Sequence, residues 1–217
     1  NFGTAQDHKR VLEGDKGKNT GGMGAYSPSR LINDDLENKI INKIIKPTIK
    51  GLNEMGSEFR GFLYAGLMIV KNEPYLIEYN VRMGDPECQT IIPKLKTDIS
   101  EIFMSCCNKK LSEINIEWST KNSLCIVVCS KGYPGEYRKD VEIQNINNIN
   151  TDQDEFIFHA GTSKKNGKVY AIGGRVLNFV SLSNDFSKAR ENVINKINIL
   201  NWEEGFHRND IGYKVIK

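Results

Sequence analysis

The chain has 217 residues, of which 39% are hydrophobic, and its formal net charge at pH 7 is +3. This length suffices for one large domain or two small ones. No stretch approaches the ~20 apolar residues that span a bilayer, and the mild, mixed charge argues against binding to a membrane or to nucleic acid. The five cysteines follow no disulfide-framework spacing, so reduced thiols in a cytoplasmic protein are predicted.

The N-terminal quarter is predicted to be a loop followed by a helix. Residues 14–28 are rich in glycine and polar groups, which indicates a loop. Asn33 offers an N-cap, and apolar residues at helical spacing predict a helix over about 34–46. Pro47 would end or kink this helix because proline lacks the backbone N–H that continues it.

A hairpin and two short helices are predicted next. Apolar residues at 61–70 and 75–81 predict two strands joined by a turn. Asp85, followed by proline, predicts the N-cap of a helix over about 86–92. Asp98, with a glutamate three residues later, predicts a second helix that ends near residue 108.

The sequence changes character near residue 118, and the predicted domains are 1–118 and 119–217. Further strands are predicted at 123–130, 156–160, 168–172 and 174–182. One apolar stripe at helical spacing predicts a helix near the C-terminus, and it consists of Phe186, Ala189, Val193, Ile194, Ile197 and Leu200. Strands and helices together predict an α+β protein.

The strand predicted at 75–81 carries polar residues at alternate positions. Side chains two residues apart on a strand point to one face, so Glu78, Asn80 and Arg82 are predicted to share a face. Carboxylate and amide oxygens suit a hard cation such as Mg²⁺, and arginine suits the phosphate oxygens that the cation bridges. The face is a candidate site for Mg²⁺ and polyphosphate. The alternative is the ordinary half-solvated face of an antiparallel strand.

Three further segments carry candidate binding groups. Closely spaced glycines, including Gly21 and Gly22, would let the backbone approach an anionic ligand, or would form a mobile surface loop. Lys9 and Arg10 would neutralise charge beside a phosphate, or would form a solvated basic face. Arg175, after two glycines, would bind a ligand or belong to a structural turn.

Eight short motifs are distinctive in their combination and order. They are QDHKR at 6–10, NTGGMGAYSP at 19–28, GFLYAGL at 61–67, EYNVRMGDPE at 78–87, GYPG at 132–135, FHAGT at 158–162, GGRVL at 173–177 and RNDIG at 208–212. This combination closely resembles the glycinamide ribonucleotide synthetases, or phosphoribosylamine–glycine ligases, which belong to the ATP-grasp superfamily. The resemblance covers essentially the whole chain.

The resemblance implies a fold and a reaction. The fold would be the C-terminal half of an ATP-grasp domain, an antiparallel sheet with helices, followed by a small mixed α/β C-terminal domain. As an ATP-dependent carbon–nitrogen ligase, the enzyme would phosphorylate the carboxylate of glycine. The amine of 5-phosphoribosylamine would then attack the glycyl phosphate, giving glycinamide ribonucleotide, ADP and phosphate in purine biosynthesis.

The resemblance also implies roles for individual residues. Glu78 and Asn80 match ligands of Mg²⁺ (or Mn²⁺) at the ATP site, and Arg82 matches the position that stabilises the transferring phosphoryl group. Met68 falls where related proteins pack an apolar side chain near adenine. The other catalytic candidates are Lys9 and Arg10, and the substrate-binding candidates are Gly21, Gly22, Asp85 and Arg175.

The family's N-terminal part, which holds the glycine-rich lid over ATP, has no counterpart in the chain. The chain is therefore expected to be the C-terminal half of a monomeric enzyme, inactive alone, with the missing half as partner beside ATP, glycine and 5-phosphoribosylamine. Residues 61–70 include no acid, so a second metal ion would depend on Glu78, water and phosphate. The alternatives are another ATP-grasp carboxylate–amine ligase and a non-catalytic binding module.

Overall fold

In the computed structural model, which describes residues 1–216, antiparallel strands alternate with helices. The strands are β1 (Gln6–Asp7), β2 (Arg10–Leu12), β3 (Lys16–Asn19), β4 (Gly24–Ser27), β5 (Tyr64–Val70), β6 (Glu73–Asn80), β7 (Asn122–Ser130), β8 (Val141–Glu142), β9 (Glu155–His159), β10 (Thr162–Lys165), β11 (Lys168–Ala171), β12 (Arg175–Ser183) and β13 (Gly205–Phe206). The helices are α1 (Asp34–Ile40), α2 (Lys46–Glu54), α3 (Glu87–Ile91), α4 (Ile99–Cys107) and α5 (Phe186–Leu200), and a π-helical turn over Ile41–Ile45 joins α1 to α2.

The chain divides into two units. The first contains residues 1–28, 85–94 and the chain from Ser119 onward, and the second contains residues 29–84 and 95–118. These units group residues by proximity, and the first combines residues from both sides of position 118. The predicted boundary between family domains at 118 stays a prediction.

The largest sheet belongs to the first unit and draws on both ends of the chain. Its strands follow the order β1-β4-β7-β12-β9, all antiparallel, and β13 pairs with the end of β7. Gly24 on β4 lies opposite Ile126 on β7, and a Cβ at Gly24 would lie 2.5 Å from the carbonyl oxygen of Cys125. Only glycine allows the two strands to approach so closely here.

Helix α5 covers this sheet with the predicted apolar stripe, so that prediction is confirmed. Asp185 caps the helix because its Oδ1 accepts hydrogen bonds from the backbone N–H groups of Ser187 (2.7 Å) and Lys188 (3.1 Å). The buried helix residues are Phe186, Ala189, Val193, Ile197 and Leu200. The strands predicted at 123–130, 156–160, 168–172 and 174–182 are confirmed as β7, β9, β11 and β12.

The predicted loop over 14–28 is wrong in two stretches, which form β3 and β4. β3 pairs with β2 in a short hairpin, and β4 is buried inside the large sheet. The glycine-rich composition does not predict these strands. β4 forms by pairing with β7, which lies far along the chain. Local composition carries no information about such a distant partner.

A buried arginine fastens the β2–β3 hairpin to the C-terminal segment. Arg208 is 1% exposed, and its Nε and Nη2 donate to the two carboxylate oxygens of Asp210, both at 2.8 Å. Its Nη1 donates to Asp15 at 3.0 Å and to the carbonyl oxygen of Arg10 at 2.9 Å. Burial alone would raise the pKa of Asp15, but hydrogen bonds from Tyr213, Lys214 and Arg208 hold it well below its usual range.

In the second unit, the helix predicted over 34–46 begins at its predicted cap but passes beyond Pro47. The Oδ1 atom of Asn33 accepts from the N–H of Leu36 at 2.9 Å. Pro47 lies in the first turn of α2, directly after the π-helical turn. The wider turn accommodates the ring, and the carbonyl of Ile44 accepts the hydroxyl of Thr48 at 2.8 Å.

The predicted hairpin over 61–81 is confirmed as β5 and β6. The hydroxyl of Tyr79 on β6 lies 2.7 Å from the hydroxyl of Thr48, which holds the hairpin against α2. The helix predicted from Asp98 is confirmed as α4, and Asp98 accepts from the N–H of Ser100 at 2.8 Å.

Two further sequence predictions concern the state of the cysteines and the presence of membrane-spanning segments. All five cysteines are free thiols. Among residues 1–216 there is no helix with the length and apolarity needed to cross a bilayer.

Candidate functional site

Glu78 and Asn80 lie side by side near the end of β6, in the second unit. The Nδ2 atom of Asn80 donates to Oε1 of Glu78 at 3.3 Å. Glu78 is exposed and lies opposite Gly66 on β5, where a Cβ would stand 3.1 Å from Cγ of Glu78. Glycine at 66 therefore leaves room for the carboxylate side chain.

Arg82 does not belong to the strand, so the prediction that it shares the strand face of Glu78 and Asn80 is wrong. β6 ends at Asn80, and Nη1 of Arg82 donates to the carbonyl oxygen of Met83 at 2.8 Å. Asn80 pairs with Tyr64, the first residue of β5, so the pairing stops there and the chain bends at residues 81–82. Met68 lies on β5 opposite Tyr75, and its side chain is 55% exposed.

The chemistry of the Glu78–Asn80 pair fits Mg²⁺. A carboxylate and an amide oxygen are hard ligands, and rotation of the Asn80 amide would bring its oxygen beside the Glu78 carboxylate. Within residues 1–216, no group of three or more His, Cys, Asp or Glu residues could hold a metal ion. A metal here would therefore take its remaining ligands from water and phosphate, which is the usual situation for Mg²⁺.

The first unit gathers a second group of candidate residues around Arg175, at the start of β12. Its Nη1 and Nη2 donate to the carboxylate of Asp85 at 3.2 and 3.0 Å, and Nη1 also donates to the carbonyl oxygens of Asp85 (2.8 Å) and Gly21 (3.0 Å). A Cβ at Gly21 would lie 2.8 Å from Cζ of Arg175. The guanidinium thus joins the glycine-rich loop to the segment before α3.

Asp85 is not a helix cap, so that prediction is wrong. Helix α3 begins at Glu87, and Pro86 occupies the N-cap position. The Asp85 carboxylate is engaged instead by Arg175 and by Nε2 of Gln89 at 3.0 Å. A bidentate, charge-assisted pair with arginine is stronger than a bond to one backbone N–H.

Several of the distinctive motifs meet at this place. The N–H of Gly21 donates to the hydroxyl of Tyr133 at 2.9 Å. A Cβ at Gly174 would lie 2.3 Å from the ring of Tyr133, and a Cβ at Gly161 would lie 2.6 Å from Cα of Gly173. The glycines of these motifs serve close packing around the loop that contains Gly21.

Lys9 belongs to the same group, whereas Arg10 does not. The ammonium of Lys9 lies 2.6 Å from Oδ2 of Asp7 on β1. Burial lowers the pKa of Lys9, but the attraction of Asp7 outweighs it and holds that pKa above its usual value. Arg10 is exposed, and its Nη1 donates to the carbonyl oxygen of Gly17 in the β2–β3 hairpin.

Two buried acids of this group are absent from the sequence-based candidates: Asp7 and Glu87. Burial, and then the negative charge of Glu87, raises the pKa of Asp7 to about 6, against the opposing effect of Lys9. In the sequence, Asp7 is visible only as an aspartate directly before the basic residues Lys9 and Arg10. Its position there does not reveal that its side chain is buried.

Asp7→Asn is expected to stabilise the protein at neutral pH. With a pKa of 3.8 when unfolded and about 6 when folded, Asp7 is ionised in both states at pH 7.5, where its burial costs about 3 kcal/mol. Near pH 4 the folded carboxyl is protonated and the unfolded one is about half protonated, so most of the cost has vanished. Urea unfolding should therefore show a gain of up to about 3 kcal/mol at pH 7.5 that fades as the pH falls from 6 to 4.

His8 provides an internal reference for this measurement. Burial, and then the positive charges of Arg208 and Lys214, lowers the pKa of His8 to about 4. Its unfolded form binds a proton below pH 6.5, so acidification to pH 4 should destabilise the wild type and Asp7→Asn alike. The exposed Asp152→Asn should match the wild type at both pH values. An equal gain for Asp7→Asn at pH 7.5 and pH 4 would contradict the prediction.

Comparisons with known proteins cover both units. The model of the phosphoribosylglycinamide synthetase ATP-grasp (A) domain matches residues 1–88, and that of the C domain of the same synthetase matches residues 123–214. The phosphoribosylamine–glycine ligase of Brucella melitensis is 39% identical over 216 residues, which are 100% of this chain and 51% of that protein. The protein of that name from Vigna unguiculata is 44% identical, over 94% of this chain and 67% of that protein. The chain spans about half the length of most of the curated relatives it matches.

Comparison with solved structures shows that the similarity of this chain to known proteins includes the fold. The crystal structure of a phosphoribosylamine–glycine ligase from Thermotoga maritima has a TM-score of 0.79 and 32% identity, over 96% of this chain and 51% of that one. A biotin carboxylase domain from Hydrogenobacter thermophilus, in complex with MgADP and bicarbonate, has a TM-score of 0.60 and 12% identity, over 93% of this chain and 42% of that one. The predicted α+β, ATP-grasp fold is confirmed by these neighbours and by the domain models.

Proposed function

The chain belongs to the phosphoribosylglycinamide synthetase family, and on that premise we propose that the complete protein joins glycine to 5-phosphoribosylamine with hydrolysis of ATP. The products are glycinamide ribonucleotide, ADP and phosphate. The observation that carries the proposal is the Glu78–Asn80 pair, two hard oxygen ligands held side by side on the family's EYN segment. Such chemistry requires positioning and charge neutralisation more than a protein nucleophile.

The proposed roles divide between two groups of residues. Glu78 and Asn80 hold Mg²⁺ or Mn²⁺, and the bound ion would neutralise charge on the ATP phosphates. Arg82, whose guanidinium lies on the protein surface, releases Met83 and stabilises the transferred phosphoryl group. Met68, exposed on β5, packs against adenine.

The group around Arg175 is proposed to bind the substrates that ATP activates and joins. Arg175 binds the backbone carbonyl of Gly21 and the carboxylate of Asp85. These bonds hold the backbone of Gly21 and Gly22 in a fixed conformation for contact with a substrate. Lys9 neutralises negative charge within this group. Arg10 lies outside the group around Arg175, in the β2–β3 hairpin. It contacts an anionic substrate only at the edge of that group.

We propose that the partner of this chain is the preceding half of the same enzyme. The β5–β6 sheet has only two strands among the described residues, and its exposed apolar side chains include Met68, Leu76 and Ile77. A two-stranded sheet is marginally stable by itself, and exposed apolar side chains in a group mark a contact surface. The free thiols suit a reducing compartment, so we place the monomeric enzyme in the cytoplasm.

The test is phosphate release by the complete polypeptide with ATP, Mg²⁺ and 5-phosphoribosylamine. Glycine should support release, and alanine and serine should not. A preference for another amino acid would instead indicate a different ATP-grasp ligase, and the absence of release would favour a non-catalytic module.

The isolated 217-residue chain is expected to release no phosphate above background in the same assay. It offers the proposed metal ligands but not the family's preceding part, which would cover the phosphates. Robust turnover by the isolated chain would contradict this expectation. The complete polypeptide is the positive control.

A further inference from the structure

β9 is an edge strand of the large sheet. It pairs with β12 on one side, and no strand among residues 1–216 lies on its other side. Native proteins usually protect such an edge with lysine, proline, a bulge or a very short strand. β9 has five residues, none of them lysine or proline, and its register with β12 is continuous. It therefore lacks these devices against pairing with another strand.

The backbone groups of β9 divide between the two sides of the strand. Just before β9, the carbonyl oxygen of Asp154 accepts the N–H of Leu182 at 2.8 Å. Just after it, the N–H of Ala160 donates to the carbonyl oxygen of Val176 at 2.9 Å. Because hydrogen-bonded positions alternate along an antiparallel pair, the even-numbered positions bond to β12 and the odd-numbered positions face outward. The positions with outward backbone groups are Glu155, Ile157 and His159.

These outward groups are complementary to those of a second, antiparallel β9. With Ile157 opposite its own counterpart, the N–H and C=O groups of the two isoleucines can bond to each other. The N–H of His159 then meets the carbonyl oxygen of Glu155, whose own N–H already donates to Asp152 at 3.0 Å. This register gives backbone bonds at the centre and at both ends of the strand, and it leaves the pairing with β12 intact.

The side chains match in the same register. Phe156 lies opposite Phe158 of the second copy, and within one chain these two rings are stacked, with their centroids 6.0 Å apart. Both residues are half-buried, so the pairing covers apolar surface that they still expose. Glu155 lies opposite His159 of the second copy, so no like charges oppose each other. Glu155 also keeps its contact with Lys196 at 2.9 Å.

We propose that β9 pairs with β9 of a second copy of this chain, antiparallel and about a two-fold axis at Ile157. The two large sheets then form one continuous sheet across the dimer. Such an interface is isologous because the same strand serves both chains, and its main-chain hydrogen bonds supply the affinity. The strand is short, so the dimer is expected to form reversibly as the protein concentration rises.

This inference goes beyond the proposed function and does not depend on it. β9 contributes no residue to the Glu78–Asn80 pair or to the group around Arg175, so turnover per chain should be the same in both species. The monomer of the proposed function is then the dissociated form of the dimer.

The first test is disulfide cross-linking of Ile157→Cys in the complete polypeptide under mild oxidation. Across the two-fold axis the two Cα atoms of residue 157 would be about 5.5 Å apart, a distance that a disulfide spans. His159→Cys is the matched control, because residue 159 is more exposed but would lie about 14 Å from its counterpart. Ile157→Cys should form a covalent dimer, and His159→Cys should stay at the background that the native cysteines give in the wild type.

Equal cross-linking of the two variants, or none above background in either, would overturn the inference. A covalent dimer that forms in the 217-residue chain but not in the complete polypeptide would also overturn it, since another part of the enzyme would then cover β9.

A second test places charges at the two-fold axis. Ile157→Lys and Ile157→Glu should each weaken self-association at least about tenfold in sedimentation velocity, because like charges then face each other. A mixture of the two variants should dimerise again, since opposite charges meet across the axis. Folded variants that dimerise like the wild type, or a mixture that stays monomeric, would count against the axis at Ile157. Should both variants fail to fold, the cross-linking of Ile157→Cys decides.

Discussion

Glu78→Ala should lower the turnover of the complete polypeptide by on the order of 100-fold or more. The variant removes one of two proposed protein ligands of the metal, so the ATP phosphates lose a fixed partner while charge moves to the acyl phosphate. Because Glu78 is exposed and its hydrogen-bond partner Asn80 is half-buried, the fold should be little affected. Steady-state phosphate release at several Mg²⁺ concentrations measures the effect, and the Mg²⁺ requirement should increase.

Glu54→Ala is the matched control for this prediction. Glu54 is an exposed glutamate in the same unit, paired with Lys50 one helical turn away at 3.6 Å. Such exposed pairs contribute little, so turnover and stability should both stay near the wild-type values. Unchanged turnover in Glu78→Ala would remove the main support for the proposed metal site and would favour a non-catalytic role.

Arg208→Met should lower the free energy of unfolding by about 3–5 kcal/mol at neutral pH. The guanidinium is fully buried and is bonded to Asp210, to Asp15 and to the backbone of Arg10. Methionine fills a similar volume, but it leaves Asp210 without its bidentate partner and removes one of the three side-chain partners of Asp15. Urea unfolding followed by circular dichroism gives the value.

Arg138→Met separates this effect from simple loss of positive charge. The Arg138 side chain is 77% exposed and lies 3.4 Å from Glu204, so the variant should lose less than about 1 kcal/mol. A loss of that small size in Arg208→Met would mean that the buried network does not hold the hairpin and the C-terminal segment together.

The elements that could be predicted from the sequence are those whose signals are local. The β5–β6 hairpin, α4 and α5 have regular apolar spacing, and Asn33 and Asp98 are recognisable caps. Their formation depends on side chains a few positions apart, which a sequence pattern records directly.

The errors arose where tertiary contacts overrule local preference. Pro47 does not end the helix because a π-helical turn precedes it. Asp85 has a cap-like sequence, but Arg175 engages its carboxylate from 90 positions away. In both places a contact or a change in helical pitch decides the outcome, and neither is visible in the neighbouring residues.

In the candidate site, too, residues with local sequence signals could be predicted and residues that depend on tertiary contacts could not. The Glu78–Asn80 pair could be predicted because strand alternation places the two side chains together. The strand alternation does not reach Arg82, because Asn80 pairs with Tyr64, the first residue of β5, and the pairing of the two strands stops there. Asp7 and Glu87 could not be recognised, since their significance comes from burial beside one another rather than from spacing.

The large sheet has a consequence for biosynthesis. β4 leaves the ribosome well before β7, its partner over Gly24–Ser27, because the paired residues stand about 100 positions apart. At roughly 5–20 residues per second, β4 waits on the order of 5–20 s for that partner. During this interval the nascent segment depends on its lysines, arginines and glycines to avoid pairing with other chains.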